Sequence, residues 1–158
     1  MHRPCTTWLA AALAAATLAA PAAADSTKAA AAQVHKGATA LTWLSHPQHQ
    51  HFGTYRSRHL AYSRAYRTLM AGLSYGGWLR AAICIHGYEG SWQDPNGPYY
   101  GGMQMDTEFQ STYGPLYVDR WGTADHWPVW AQLHTAWRAW QTRGWYPWPN
   151  TARWCGLI

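Results

Sequence analysis

Residues 88–105 read Tyr-Glu-Gly-Ser-Trp-Gln-Asp-Pro-Asn-Gly-Pro-Tyr-Tyr-Gly-Gly-Met-Gln-Met. Glu89 comes at the end of a helical pattern, and a segment rich in glycine and aromatic residues follows it. An isolated carboxyl group that faces an aromatic, sugar-sized cleft is the arrangement that acid-catalysed cleavage of a glycosidic bond requires. Glutamate is also scarce, because Glu108 is the only other one in the sequence. Glu89 is therefore the candidate catalytic acid.

The residues before this glutamate predict a helix from Trp78 to Glu89. Ala82 and Ile85 share one helical face with these two residues, at spacings of four and three. Gly90 follows as a natural C-terminal stop. Partial burial and the negative end of the helix dipole both favour the neutral form of a carboxyl group at this place. An acid catalyst that works near neutral pH needs to hold its proton in this way.

The segment after the glutamate has dense turn chemistry over residues 94–98. Residues 99–105 indicate a short strand or one arm of a β-hairpin, in which Gly101 and Gly102 allow close backbone approach. The acidic spacing of an EF-hand is missing. The three histidines of residues 46–51 lack a fixed spacing and are typical of a solvated linker, with metal binding as the alternative. Neither a metal nor a cofactor is expected.

Side chains around this segment are candidates for binding a sugar chain. Trp92, Tyr99 and Tyr100 could stack on sugar rings, and Gln104 could hydrogen-bond a sugar amide or hydroxyl group. Core packing is the alternative role of each aromatic ring. Eleven tryptophans follow Trp8, which is more than a core of this size requires. Some of them are therefore expected to line a groove.

Hydrolysis of a glycosidic bond uses a second carboxylate, for which Asp94, Asp106 and Glu108 are candidates. Asp94 is typical of a turn, Asp106 is expected to N-cap a helix over residues 106–113, and Glu108 lies in the favourable first turn of that helix. A wall-cleaving enzyme can work without a second carboxylate. Its acid protonates the glycosidic oxygen and, once ionised, deprotonates the 6-hydroxyl of the same sugar, which closes an anhydro ring.

Two further helices are expected. The first spans residues 54–73, and its arginines lie off the apolar stripe, on a face that is either solvated or in contact with an anionic polymer. The predicted core stripe of this helix consists of Tyr55, His59, Tyr62, Tyr66, Leu69 and Leu73. The second begins near Pro128 and ends at Gly144. Its shared face consists of Trp130, Leu133, Trp137 and Trp140.

Residues 1–24 have the features of a secretory signal peptide, with Arg3 before an apolar run over residues 8–20 and small residues before the cut. Residues 25–53 are expected to be a weakly structured lead-in, and residues 54–158 are long enough for one domain. The sequence shows no further transmembrane stretch.

Two cysteines, Cys84 and Cys155, remain after signal cleavage. An even pair in an exported protein favours a disulfide, with two buried thiols as the alternative. The bond would close a loop of roughly 70 residues and stabilise the fold by about 4 kcal/mol in the chain-entropy model. After cleavage of the signal peptide, which contains Arg3, the chain has eleven Lys and Arg and seven Asp and Glu. This mildly basic balance suits an anionic polymer such as a bacterial cell wall, whereas the features of nucleic-acid binding are missing.

Cys84 followed by residues 88–92 (Tyr-Glu-Gly-Ser-Trp) and 99–105 (Tyr-Tyr-Gly-Gly-Met-Gln-Met) resembles the transglycosylase-like domain of actinobacterial resuscitation-promoting factors. More loosely, a glutamate followed by Gly-x-x-Gln resembles the pattern of lytic transglycosylases and goose-type lysozymes. Residues 144–149 (Gly-Trp-Tyr-Pro-Trp-Pro) with Cys155 also resemble the C-terminal end of the domain. The resemblance covers about residues 76–158.

This resemblance implies a small lysozyme-like fold of the α+β class, mostly helical with a short β-hairpin. It also implies cleavage of the bond between N-acetylmuramic acid and N-acetylglucosamine in peptidoglycan. The catalytic glutamate of the family falls on Glu89, and its disulfide falls on Cys84 and Cys155. The hairpin residues that touch the sugar chain fall on Tyr100, Gly101, Gly102 and Gln104.

Residues and resemblance together predict a secreted, cell-wall-associated monomer that cleaves peptidoglycan glycan strands as a lytic transglycosylase. Once the signal peptide is removed, no membrane contact is expected, and no nucleic acid is expected as a partner. Three alternatives remain open. They are a hydrolytic muramidase, a non-catalytic domain that binds wall carbohydrate, and a small secreted structural or signalling protein whose tryptophans serve packing and partner contact.

Overall fold

The computed structural model describes residues 20–49, 51 and 53–158. Within these residues it contains seven α-helices and three short 3-10 turns. The helices are α1 (Ala20–Leu44), α2 (Tyr55–Leu73), α3 (Trp78–Glu89), α4 (Thr107–Tyr113), α5 (Pro115–Trp121), α6 (Val129–Arg143) and α7 (Pro149–Trp154). The 3-10 turns are Pro47–His49, Tyr75–Gly77 and Ala124–His126. The prediction of a mostly helical protein is confirmed.

Local signals in the sequence set the helix ends. α3 begins at Trp78 and ends before Gly90, as predicted. Asp106 N-caps α4, because its side chain accepts a hydrogen bond from the Phe109 backbone N–H at 2.7 Å. Gly144, with φ 56°, ends α6 in the left-handed region that a residue without Cβ adopts at little cost.

The predicted β-hairpin does not form as strands. The described part of the chain contains one isolated antiparallel bridge, between Tyr100 and Met105, and no strand. The reason is the turn inside the bridge, in which Gly101 (φ 71°) and Gln104 (φ 45°) have left-handed backbones. The peptide groups of this turn bond to side chains of distant elements, where a hairpin would use a neighbouring strand.

Residues 25–53 were expected to be weakly structured, but most of them belong to α1, which packs against α2. Val34 and Leu41 on α1 are fully buried. The contact is close, because a Cβ added at Gly37 would overlap the backbone of Leu69. Most of the predicted signal peptide lies outside the described residues. Among the residues that are described, no helix is long and apolar enough to cross a membrane.

The predicted core stripe of α2 is buried at one end only. Leu69 and Leu73 are buried, whereas Tyr55, His59, Tyr62 and Tyr66 are exposed. Because Gly37 and Gly72 allow α1 and α2 to pack closely, the interface between these helices has no room for tyrosine rings. The face that α2 buries is therefore made of small and aliphatic residues, namely Ala65, Leu69, Gly72 and Leu73.

α6 is the central helix of residues 78–158. All residues from Trp130 to Trp137 are buried, so this part of the helix is enclosed on every side. The predicted disulfide between Cys84 and Cys155 is present, with an S–S distance of 2.06 Å. It joins α3 to the C-terminal end of α7.

Candidate active site

Glu89 lies at the C-terminal end of α3 with its side chain partly buried. The hydroxyl group of Thr151, on α7, donates a hydrogen bond of 2.7 Å to Glu89 Oε1. The same hydroxyl lies 3.3 Å from the carbonyl oxygen of Trp148, one turn earlier on the chain. Thr151 is itself buried. The Glu89 carboxyl group is therefore held against α7 on one side.

The disulfide explains why these two helices meet. Cys84 stands five residues before Glu89 on α3, and Cys155 stands four residues after Thr151. At about 1.5 Å of rise per helical residue, these offsets are similar in length. α3 read forward from Cys84 and α7 read backward from Cys155 therefore lie side by side with antiparallel chain directions, which brings Thr151 beside Glu89.

A tight turn over residues 100–105 forms the second part of the site. The backbones of Tyr100 and Met105 exchange two hydrogen bonds of 3.0 Å. Inside this pair, the Gln104 N–H donates to the Gly101 carbonyl group at 3.0 Å, and the Gly101 N–H donates to the Asp94 carbonyl group at 2.9 Å. The turn and the preceding residues 94–98 are thus one bonded unit.

Side chains from other helices fix the buried side of the turn. The Gly102 N–H donates to Gln132 Oε1 at 2.8 Å, and the Gly102 carbonyl oxygen lies 2.9 Å from His86 Nδ1. The Trp148 indole N–H donates to the Met103 carbonyl oxygen at 2.7 Å. Gln132 also donates to the Trp92 carbonyl oxygen at 2.8 Å. Buried polar groups that are bonded in this way give the turn one defined shape.

The two adjacent glycines are required by close packing. A Cβ at Gly101 would lie 2.5 Å from Gln132 Oε1, and a Cβ at Gly102 would lie 2.5 Å from Trp92 Cε3. Both glycines are buried. Their observed role is therefore to shape the turn, and the surface that they offer to a ligand is small.

Asp94 and Gln104 meet beside the end of α3. Gln104 Nε2 donates to Asp94 Oδ2 at 3.1 Å, while Asp94 Oδ1 accepts from the Asn96 backbone N–H at 3.1 Å. A Cβ added at Gly90 would lie 3.3 Å from Asp94 Oδ2 and 3.6 Å from Gln104 Nε2. The structure therefore places Asp94 and Gln104 next to the residue that follows Glu89.

The other two candidate carboxylates lie elsewhere. Asp106 is the N-cap of α4, and Glu108 is exposed in the first turn of that helix. Both line a depression of about 460 Å³ together with Arg143. Glu89 lines none of the four depressions measured on the described residues.

The predicted aromatic ligands differ in how accessible they are. Trp92 stacks on His86 with ring centroids 3.8 Å apart, so that one face of its ring is covered. Tyr100 is half-buried against the 94–98 turn, since its hydroxyl group would lie 2.7 Å from a Cβ at Gly97. Tyr99 is 50% exposed.

The sequence patterns did not predict three further residues of this region as site residues, namely Thr151, Tyr88 and Trp154. Tyr88 and Trp154 are 57% and 64% exposed, and their ring centroids are 5.4 Å apart. Tyr88 adjoins Glu89 in sequence, and Trp154 follows Thr151 by one turn of α7. The pair therefore forms an exposed aromatic surface on the same two helices that hold the carboxyl group. Within the described residues, no group of three or more His, Cys, Asp or Glu side chains could hold a metal ion.

No protein-family model, curated protein or solved structure matches this chain.

Proposed function

We propose that this chain is a secreted enzyme that cleaves the bond between N-acetylmuramic acid and N-acetylglucosamine in peptidoglycan, as a lytic transglycosylase. The observation that carries the proposal is the fixed Glu89 carboxyl group, which is partly buried and bonded to Thr151 between two helices that also carry exposed aromatic rings. The disulfide supports export, because such bonds persist mainly in oxidising compartments.

In the first step, the protonated Glu89 donates its proton to the oxygen that bridges the two sugars. The bond between this oxygen and C1 of the muramic acid breaks, and N-acetylglucosamine leaves as an alcohol. Positive charge develops on C1 and the ring oxygen in an oxocarbenium-like transition state. The Glu89 carboxylate that remains carries the opposite charge and lies beside the reacting centre.

In the second step, this carboxylate takes the proton of the 6-hydroxyl group of the same muramic acid. The O6 oxygen then bonds to C1 and closes the 1,6-anhydro ring, and Glu89 returns to its protonated form. No water is consumed. One carboxyl group thus serves as acid and then as base, so the reaction needs no second carboxylate.

The surroundings of the other carboxylates support this single-residue chemistry. Asp94 accepts hydrogen bonds from Gln104 and from Asn96, and Asp106 accepts one from Phe109. Both carboxylates therefore already have structural partners. A hydrolytic muramidase would instead need one of them to activate water or to form a covalent intermediate.

Exposed aromatic rings supply the sugar contacts in this proposal. Tyr88 and Trp154 are exposed on the two helices that hold Glu89, and Tyr99 is exposed next to the turn. Trp92 and Tyr100 offer only the uncovered parts of their rings. The Gln104 amide nitrogen already donates to Asp94 and to the Gly101 carbonyl group, so its amide oxygen is the atom that can accept from a sugar hydroxyl or amide group.

The decisive experiment compares release of soluble muropeptides from purified sacculi by the wild type and by Glu89→Gln. We expect the variant to lose at least about 100-fold in rate, because general acid–base catalysis contributes on that scale, while it still sediments with sacculi. Mass spectrometry should find products that lack one water relative to hydrolysis products. Wild-type protein that binds sacculi without cleaving them would contradict the proposal and favour a carbohydrate-binding domain. Products that retain the water would favour a muramidase.

Thr151 is proposed as a positioning residue for Glu89. Its hydrogen bond holds the Glu89 carboxyl group against α7, so Thr151→Val should lower kcat for muropeptide release with little change in KM. Thr151→Ser keeps the donor and is the matched control, with a kcat like that of the wild type. If Thr151→Val changes only the melting temperature and leaves kcat unchanged, the role of Thr151 is structural.

A further inference from the structure

The N-terminal helices carry a charge pattern that differs from the rest of the chain. Residues 26–88 contain seven Lys or Arg and no Asp or Glu. Residues 89–158 contain four Arg against six Asp or Glu. Four of the seven basic residues lie on α2, which has no acidic residue to pair with them. A surface with charges of a single sign attracts a polymer of the opposite sign.

A groove of about 710 Å³ lies between α1 and α2. Small side chains line it, and at Gly37 the backbones of the two helices are in contact. Lys36, Arg64 and the ring of Trp43 line the same groove. Trp43 is 42% exposed, although one face of its ring stacks on His49 at 4.1 Å. The groove therefore combines a shallow apolar floor with cations and an aromatic ring.

A second depression, of about 210 Å³, lies between the end of α1 and the start of α2. Tyr55, Arg58 and Tyr62 line it, and Leu44 lines both depressions. Tyr55 is 83% exposed and Tyr62 is 40% exposed. Aromatic and cationic side chains thus alternate along the same helix pair, where the sequence predicted a core stripe.

We propose that this surface binds a linear anionic polysaccharide. We call it the basic aromatic face and define it by Lys36, Trp43, Tyr55, Arg58, Tyr62 and Arg64. Sugar rings stack on aromatic faces through their C–H groups, and arginine forks pair with carboxylate or phosphate groups. The face lies on helices other than those that hold Glu89, so this inference does not depend on the proposed catalytic activity.

The shape of the face favours a polymer chain over a membrane. Helices that lie on a bilayer segregate a continuous apolar face from their charges. Here Arg58 and Arg64 are interleaved with Tyr55 and Tyr62, and the surface is concave. A single flexible chain can follow such a groove and place rings and charges in alternation.

The test measures binding of the intact protein to three soluble polymers at low salt. Polygalacturonate carries both sugar rings and carboxylates, dextran carries sugar rings without charge, and poly-L-glutamate carries charge without sugar rings. We expect polygalacturonate to bind most tightly and its affinity to fall as salt is added. Equal affinity for dextran, or equal affinity for poly-L-glutamate, would overturn the proposal. So would tighter binding to duplex DNA or to phosphatidylglycerol vesicles, since these results assign the face to a nucleic acid or a membrane.

Two variants separate the charge from the aromatic contribution. Lys36→Gln with Arg64→Gln should weaken polygalacturonate binding by about tenfold, on the scale of two exposed ion pairs. The matched control removes two exposed arginines of the C-terminal half, by Arg143→Gln with Arg153→Gln, and should leave binding unchanged. Trp43→Ala should weaken binding to polygalacturonate and leave binding to poly-L-glutamate unchanged. Equal losses in the two double variants would show that only net charge matters, which contradicts a defined face.

Discussion

The α1–α2 pair and residues 78–158 both carry aromatic side chains, but only the second region has a core in which several tryptophans are buried. On α2, Tyr55 and Tyr62 are exposed to solvent. In the second region, Trp127 and Trp148 are buried, and their indole N–H groups donate to the carbonyl groups of Gly122 and Met103. The comparison teaches that an aromatic ring is buried where its packed neighbours leave space for it, because Trp78 and Trp130 are buried without an acceptor for their N–H groups. Spacing in the sequence does not report this space.

The two regions also differ in what holds them together. α1 meets α2 through close backbone contact at Gly37 and Gly72. Residues 78–158 use a disulfide between distant residues and a buried side chain, Gln132, whose hydrogen bonds reach Gly102 and Trp92. The first arrangement leaves open the face for which we propose polymer binding. The second holds the Glu89 carboxyl group and the turn over residues 100–105 in fixed positions, as the proposed catalytic role requires.

The largest effect is expected from the disulfide that only the second region contains. Cys84→Ser with Cys155→Ser removes a cross-link between residues 71 positions apart in sequence. In the chain-entropy model the free energy of unfolding should fall by about 4 kcal/mol. Urea unfolding followed by tryptophan fluorescence measures this loss, because ten of the twelve tryptophans lie in residues 78–158.

The wild type in reducing agent is the control for the substitutions, and it should unfold at the same urea concentration as the double variant. Intact mass before and after reduction verifies that the bond is formed in the oxidised protein. Equal midpoints for the oxidised wild type and the double variant would show that the second region does not depend on its cross-link.

The elements predicted correctly have strong local signals. α3 and α6 each combine regular apolar spacing with a glycine stop, and α4 has the Asp106 cap with Glu108 in its first turn. The disulfide followed from an even pair of cysteines. The turn at residues 100–105 could not be predicted in detail, because its partner Gln132 lies 30 residues away from Gly102. The two glycines of this segment predicted a β-hairpin, because a hairpin and the observed turn both need close backbone approach.

Thr151 could have been found from the disulfide once α7 was known. The sequence offers Pro149 as a helix start, and a helix from there to Cys155 places Thr151 one turn before the cross-link. Counting back along α7 and forward along α3 then pairs Thr151 with Glu89. The packing of α1 had no such signal, because its alanine-rich composition is also typical of an unstructured lead-in.

The second prediction tests the close contact that holds the first region. Gly37→Ala adds a Cβ that would overlap the backbone of Leu69, which cannot move without separating α1 from α2. The free energy of unfolding should fall by about 2 kcal/mol, as in other overpacked sites. Circular dichroism measures the loss, since α1 and α2 contribute much of the helix content.

Gly87→Ala is the matched control for this substitution. Gly87 is an exposed residue inside α3, and a Cβ there would meet nothing within 4 Å. The change should stabilise the protein by up to about 1 kcal/mol, because alanine is the better helix former. If Gly37→Ala is as well tolerated as Gly87→Ala, the two helices are not held by backbone contact.

The smallest effect concerns His134, which lies where the two regions meet. Its ring on α6 packs against His35 of α1, with centroids 5.7 Å apart, and its Nδ1 atom lies 2.6 Å from the Tyr117 hydroxyl group of α5. Burial, followed by the influence of His35 and Arg138, lowers the pKa of His134 to about 3. Burial also raises the pKa of Tyr117 to about 12, so both groups are neutral over the range of the experiment.

Because the pKa of His134 is about 3 in the folded protein and 6.5 for an ordinary histidine, the unfolded state binds more protons between these values. The free energy of unfolding should therefore fall as the pH drops below about 6.5, with His134 contributing up to about 1.4 kcal/mol per pH unit. His134→Gln keeps a polar partner for Tyr117 but does not titrate, so its stability should fall less steeply between pH 6.5 and 4. Parallel curves for the wild type and His134→Gln would mean that the contact between the two regions admits a charged imidazole, and that the regions are joined more loosely than the burial of His134 indicates.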